Sequence, residues 1–391
     1  MKTLHILFAG LLCWLGFASG VSVQAREFPI FNGKDLSGWT NVNCAPETWS
    51  VSNGVIQCTG RPIGALRTLR QFENFVFEIE WRHLVPGGNA GIFVWAEAIS
   101  APGVPFLRSI EVQVLDNAFN IDGKNEWYTT HGDIFPIHGS TMKPWEKSRG
   151  MRSLPKSERS RPSPEWNHYR ITATNGVIRL AVNGEEVTVG SECVYRKGYL
   201  ALESEGGRVE YRNLKLTELP SSGADGSSAA PEENVWKCLY NGVDFRGWKL
   251  PSPAGSDAWE PLDHQIRRKP VQASGPSILW NEGLFETGEF VLDVMPESDP
   301  EPAGIDRGPS IWLRAHGGMP FQVKLPGTKA KQFRRFVLRT YPGRIEVGLR
   351  GEKAETTLIP SASGTAGGWG LGLDSAGDAA RFMNIYHRSV K

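Results

Sequence analysis

Charge imbalance is almost absent from this chain. Its 391 residues carry 43 Lys and Arg against 42 Asp and Glu, a net charge of +1. That excludes the basic footprint of a nucleic-acid-binding protein or of one held on an anionic membrane. Long apolar runs are missing beyond the N-terminus, and no later segment approaches the roughly 20 residues that a spanning helix needs. Neither CxxC nor HExxH occurs, so no zinc motif is written in the chain. No amphipathic helix of three turns is legible. Cysteine is scarce, with five in all. Tryptophan is not scarce: there are 14. Its bland use is core and turn packing, and its sharper use is stacking on the apolar face of a pyranose.

Residues 1–25 read as a secretory signal. Lys2 gives the positive end, LHILFAGLLCWLGFA the apolar stretch, and Val23-Gln24-Ala25 a small-x-small cleavage site. Cys13 lies inside the apolar run, which argues against a lipid anchor. The expected address is the periplasm or the medium, with no transmembrane segment in the mature chain. Export makes disulfides available. Four cysteines lie beyond Ala25, namely Cys44, Cys58, Cys193 and Cys238. Cys44 and Cys58 flank one hairpin, TWSVSNGVIQC, and are the expected pair among the connectivities open to them.

One phrase occurs twice. Residues 31–39 read FNGKDLSGW and residues 240–248 read YNGVDFRGW. The offset is constant: 241 − 32 = 209 for the Asn and 248 − 39 = 209 for the Trp. A period that long means two copies of one domain, because solenoid units span only ~20–50 residues. The expected division is a first domain over 26–219, a flexible linker over 220–233 and a second domain over 234–391. The linker sequence PSSGADGSSAAPE is small, polar and Pro-flanked, and cannot build a core.

Both halves read as all-β. FVFEIEWR alternates apolar and acidic residues, and GIFVWAE, SIEVQVLD, HYRITAT, VIRLAVNG and YLALESEG follow at short intervals, with Gly- and Asn-rich turns between them. Short strands so spaced imply sandwiches. In RSIEVQVLD, Glu111, Gln113 and (in a regular strand) Leu115 share one face, while Ile110, Val112 and Val114 share the core face.

Aligning IEVQVLD with FQVKLPG of the second half sets Glu111 against Gln322, Gln113 against Lys324 and Asp116 against Gly327, with Val112 on Val323. LESEGG against LDSAGD sets Glu205 on Ala376 and Glu203 on Asp374, the latter a less telling contrast. A carboxylate needed only for folding should persist in both copies, so Glu111, Asp116 and Glu205 become functional candidates. The segment 117–165 has almost no counterpart in the second half. It holds Trp127, Tyr128, His131, Asp133, His138 and Trp145, which suit a pocket wall or lid. Its basic stretch MRSLPKSERSRP reads as a solvated excursion. GGNAGIF is a tight turn entering a strand, where Asn89 is read equally well as a partner for a sugar hydroxyl or as a turn residue. Arg82 and His83 end the preceding strand and could line the same groove.

FNGKDLSGW, TWSVSNGVIQC, EIEWR…GGNAGIF, IEVQVLD, HGDIFPIHG and EWNHYRITATNGVIRLAVNGEEV together resemble the 3-keto-disaccharide hydrolase domain over residues 27–218. The second half resembles it more weakly. The resemblance implies two concanavalin A-like jelly-roll sandwiches in tandem and cleavage of glycosides already oxidised at C3, with a carbohydrate as the partner. A C3 ketone acidifies the C2 proton, so a base can trigger loss of the C1 substituent, and water then adds back. This needs a base, an acid and a polar partner for the enolate oxygen. Glu111 is expected as base or acid and Glu205 beside it. Gln113, Arg82 or His131 would bind the ketone. Asn89, Asp116, Trp127, Asp133 and His138 would complete the site, with a divalent cation as a candidate cofactor that no spacing selects. Two other readings remain open: a lectin-like binding protein, and a conventional two-carboxylate glycosidase. EVQVLD differs from the ExDxxE strand of retaining glucanases in this fold, which argues against the last.

Overall fold

The structure, a computed structural model, describes residues 25–119, 131–233, 236–251, 256–270, 277–298, 309–315, 318–325, 328–351, 355–358, 368–375 and 378–390. The secretory signal expected over residues 1–25 lies outside these apart from Ala25. No helix among the described residues is long and apolar enough to cross a membrane.

Among the described residues the architecture is all-β, built of antiparallel strands with two short 3-10 turns. Strands before residue 219 form a nine-stranded and an eight-stranded sheet, and those after 236 form an eight-stranded and a five-stranded sheet. The period-2 pattern explains this directly. In Phe75–His83 the burial alternates residue by residue, with Phe75, Phe77, Ile79 and Trp81 inside. They pack against Ile92 and Val94 of Asn89–Ala96 and Ile110, Val112 and Val114 of Ser109–Leu115, which lie on the facing sheet. Each such side chain, fully buried, contributes roughly 1.5–3 kcal/mol.

The eight-stranded sheet of the first half runs, edge to edge, through Ser148–Arg149, Arg152–Ser153, Ile134–Ile137, Ser109–Leu115, Asn89–Ala96, Tyr199–Ser204, Gly64–Thr68 and Trp39–Val42. The segment 117–165 is therefore not one open loop, because parts of it extend this sheet. In the second half, Trp248–Lys249, Leu279–Asn281, Trp369–Asp374, Ser310–Ala315 and Phe321–Lys324 follow in the same relative order. The pairing agrees with the sequence alignment: Ile92 sits opposite Val112, as Ile311 sits opposite Val323.

The repeated phrase folds identically in both halves. Asn32 Oδ1 accepts from the amides of Lys34 and Asp35, and Asn241 Oδ1 from those of Val243 and Asp244. Asp35 Oδ1 accepts from Ser37 N as Asp244 Oδ1 does from Arg246 N. The indole of Trp39 donates to Ile30 O and that of Trp248 to Leu239 O, each at 2.8 Å.

Two expectations are corrected. Cys44, Cys58, Cys193 and Cys238 are free thiols. Cys44 Sγ accepts from the Trp49 indole at 3.4 Å and Cys58 Sγ from Gly60 N at 3.3 Å, so each is used locally. The segment 220–233 is tethered rather than loose. The Glu73 carboxylate accepts from the amides of Ser222 and Ala224, Arg196 N donates to Ser228 O, and Gln71 Nε2 donates to Ala230 O and Pro231 O. Its polar backbone finds partners on the first half, which composition does not reveal.

Candidate functional site

Strand alternation puts Glu111 and Gln113 on the face of the eight-stranded sheet turned away from the core. Both are buried nonetheless, at 6% and 0% exposure. The neighbouring strand makes room for them. A Cβ on Gly91 would lie 2.6 Å from Glu111 Oε1, so the carboxylate crosses the strand where a side chain is missing. In the second half the equivalent residue is Ser310, and its hydroxyl accepts a 3.0 Å hydrogen bond from Gln322 Nε2.

Three carboxyls meet here. Glu203 stands near the end of the Tyr199–Ser204 strand and Glu205 one residue beyond it, and the charges of Glu111 and Glu205 both bear on Glu203. Burial, first, and the Glu205 charge, second, push Glu111 well above the usual carboxylate range, while the Arg152 guanidinium pulls the other way. Burial and then the charges of Glu205 and Glu111 do the same to Glu203. Glu205 is pushed up to about 7 by burial, with its bond to Glu203 opposing. Like charges in one dry site cannot all ionise, so the cluster keeps protons near neutrality and titrates as a unit.

Amides order the cluster. Asn89 Nδ2 donates a hydrogen bond to Glu205 Oε2. Gln113 Nε2 donates to Asn89 Oδ1 at 2.7 Å and to Ala90 O at 3.0 Å. On the other flank Arg152 Nη1 reaches Asp133 Oδ2 at 2.9 Å, and its guanidinium stacks 3.4 Å from the centre of the Phe135 ring. Asp133 is fully buried and also bears on Glu111 electrostatically.

The structure brings Glu111, Gln113, Glu205, Asn89 and Asp133 together. It adds two residues. Glu203 has an acid, Asp374, at the matching place of the second half and so does not stand out in the sequence, although its spacing from Glu205 puts both on one face. Arg152 belongs to the basic stretch MRSLPKSERSRP, and nothing in its local sequence marks it as part of a site.

The other expected residues have different work. Arg82 lies on the opposite sheet, where Nε and Nη2 donate to Glu210 Oε2 at 2.8 and 2.7 Å and the guanidinium covers Trp166. Its neighbour His83 is buried, and its Nε2 donates to Val114 O at 2.9 Å. Asp116 is saturated by backbone: Oδ1 accepts from Gly87 N and Ala118 N, and Oδ2 from Ser163 N. It clamps the turn before Asn89 to the 157–165 region. His131 accepts at Nε2 from Arg159 N and Ser160 N, so its proton sits on Nδ1 toward Asn117 Oδ1. Burial pushes it down to about 4, which keeps the ring neutral and holds the segment in place. His138 stacks on Phe106 at 5.5 Å, beside the face covered by the second half. Trp127 and Tyr128 lie outside the described residues, as do Gly327 and Ala376, the alignment partners of Asp116 and Glu205. Among the described residues no group of three or more His, Cys, Asp or Glu side chains is arranged as a metal site.

Residues 28–217 match the family described as the 3-keto-alpha-glucoside-1,2-lyase-like domain. This interval contains every member of the cluster. No curated protein matches the chain. Among solved structures it is similar to a "putative glycosyl hydrolase" from Parabacteroides distasonis ATCC 8503, with 21% identity, 50% of this chain and 94% of that one covered, and a TM-score of 0.38. It is also similar to a carbohydrate binding module, CBM66, from Bacillus subtilis, with 13% identity, coverage of 45% and 93%, and a TM-score of 0.31. A β-glucanase from Bacillus licheniformis gives 9%, 40% and 97%, and 0.28. Such identities transfer no residue roles.

Proposed function

We propose that residues 26–219 form an exported glycoside-cleaving domain acting on sugars already oxidised at C3, and that residues 234–391 are a divergent copy without that chemistry. The observation that carries this reading is the meeting of Glu111, Glu203 and Glu205 on one sheet face, inside the interval that matches a family described as a 1,2-lyase.

The chemistry follows from the cluster. The C3 ketone acidifies the C2 proton. Glu111 is assigned as the base: burial and the Glu205 charge raise its affinity for a proton, and the Arg152 cation partly opposes them. It takes the C2 proton, and the C–H electron pair becomes the enolate. The enolate expels the C1 oxygen, which takes a proton from Glu205. Water then adds across the C1–C2 double bond, its hydroxyl to C1 and its proton to C2, so the sum is hydrolysis. Arg152 supplies positive charge for the enolate, Glu203 keeps the cluster's proton count, and Asn89 with Gln113 fixes the Glu205 carboxyl. Carboxylates raised toward neutrality are suited to both proton transfers. The test is turnover of a 3-keto-glucoside panel beside the unoxidised parents, with and without chelator. Cleavage of the unoxidised disaccharides at the same rate would sink the elimination reading in favour of a two-carboxylate glycosidase. Saturable binding without turnover would favour a lectin.

A further inference from the structure

The face that bears the carboxylates does not stay open. Across the sheet, Glu111 pairs with Phe93 and Phe93 with Ala201, while Glu203 pairs with Ala65 and Ala65 with Val42. Phe93, Ala201, Ala65 and Val42 are at most 3% exposed, and they form one apolar cluster with Ala98, Ile99 and Leu107 of the first half and Trp236, Val291 and Tyr386 of the second. Neighbouring strands lie about 4.8 Å apart, so this cover begins a single strand beyond Glu203.

The cover is fixed in place. Asn43 Nδ2 donates to Asn384 Oδ1 at 2.8 Å, and Tyr386 donates back to Asn43 Oδ1 at 3.0 Å. Gly103 N donates to Asp293 Oδ2 at 2.8 Å, and Ile63 N to Asp263 Oδ1 at 2.9 Å. Separating the halves would strand these groups and expose the apolar cluster together, which makes an open form costly. On the other flank of Glu111 stand Arg152, Asp133 and Phe135.

We infer that the second half is a wall of the first half's cleft, turning a groove across the sheet into a blind pocket that accepts the end of a saccharide and not an internal stretch. The inference rests on the carbohydrate reading proposed above, and it specifies the substrate as a short or terminal glycoside. A chain of sugars running across the strands would have to pass over Ala65 and Val42, and the second half occupies that space.

The test uses the full chain and a matched series of 3-keto-glycosides: a disaccharide, and the same unit extended by one, two and four sugars at either end. Extension at one end is expected to lower kcat/KM by about 100-fold or more, with little change at the other. Equal tolerance at both ends would overturn the wall. The double variant Trp236→Ala, Val291→Ala should raise the ratio of extended to unextended kcat/KM by about 10-fold. If that variant folds by circular dichroism and the ratio stays put, the wall is assigned wrongly. Should it not fold, Trp236→Ala alone, at the 8% exposed rim, serves instead. If no 3-keto-glycoside is cleaved, the proposed reaction fails by itself, and calorimetry with unoxidised oligosaccharides of the same lengths decides the wall. Affinity that stops rising with length at one end supports it, and affinity that rises with extension at both ends refutes it. A chain that neither cleaves nor binds any of them loses both readings.

Discussion

Two rows of residues, one in each half, occupy matching places across the corresponding sheets. In the first half the row is Glu111, Phe93, Ala201 and Arg67; in the second it is Gln322, Trp312, Gly372 and Trp280. Beneath the rows the cores agree: Val112 with Val323, Ile92 with Ile311 and Leu202 with Leu373 are all buried. On the outer face the halves part. A buried carboxylate lying across a glycine in one becomes an exposed amide bonded to a serine in the other. The sandwich constrains only one side of each strand, so the other side is free to carry chemistry or to lose it.

The sharpest way to break this comparison is Glu111→Gln. The substitution keeps the volume and gives the first half the residue of the second. Turnover should fall by about 10²–10⁴-fold, with the far-ultraviolet circular dichroism unchanged. Full activity in the variant would show that the contrast between halves is not catalytic.

Gly91→Ser imports the other member of the second-half pair. Its Cβ would meet Glu111 Oε1 at 2.6 Å, so the carboxylate must move. A displacement of that order should cost about 10²-fold in kcat/KM. If steady-state kinetics show less than a few-fold change, the fit between Glu111 and the bare strand is not what positions the base.

Protonation offers a third contrast, because the second half has no such cluster among its described residues. Glu205 is raised in the folded state, so its contribution to stability is full below the ordinary carboxylate range and is lost as pH rises through about 7. Melting temperature should therefore fall between mildly acidic and mildly alkaline pH. Glu205→Gln should flatten that fall by up to about 3 kcal/mol, since each tenfold change in a group's proton affinity on folding is worth roughly 1.4 kcal/mol. The activity profile should lose its alkaline limb near 7 if Glu205 is the acid. A wild-type melting curve independent of pH would contradict the raised carboxyl.

Arg152→Met sharpens the picture from the other flank. Removing the cation leaves Glu111 with burial and the Glu205 and Asp133 charges, which raises it further. The acid limb of kcat/KM should move to higher pH, with a loss of about 10-fold at neutrality. An unmoved limb would mean that Arg152 serves only to pair with Asp133.

What could be read in advance follows a physical line. Alternation along RSIEVQVLD placed Glu111 and Gln113 together on one face, and the loss of their chemistry in FQVKLPG pointed to function. Those inferences are local, and local pattern survives in a strand. Arg82 and Asp116 were misplaced because their neighbours in space come from elsewhere: Glu210 from a partner strand, and the amides of Gly87 and Ser163 from two separate turns. Arg152 is the same lesson reversed, since only the fold brings a basic excursion against Glu111. The apolar cluster that holds both Phe93 and Tyr386 joins residues 293 positions apart (386 − 93) and leaves no trace in either segment.

The repeated phrase gives the smallest and most symmetrical expectation. Trp39 and Trp248 each donate an indole N–H to a backbone carbonyl nine residues earlier, at 2.8 Å in both halves. Both rings are buried, at 7% and 4% exposure. Trp→Phe at either site leaves an orphaned carbonyl and a smaller ring, at a cost of about 1–3 kcal/mol. If the motif serves the scaffold alone, Trp39→Phe and Trp248→Phe should lower the denaturation midpoint by similar amounts, and neither should change kcat/KM of the folded enzyme. A kinetic defect in Trp39→Phe without one in Trp248→Phe would move that turn into the first half's chemistry, and the rule that shared features serve the fold would fail at its clearest example.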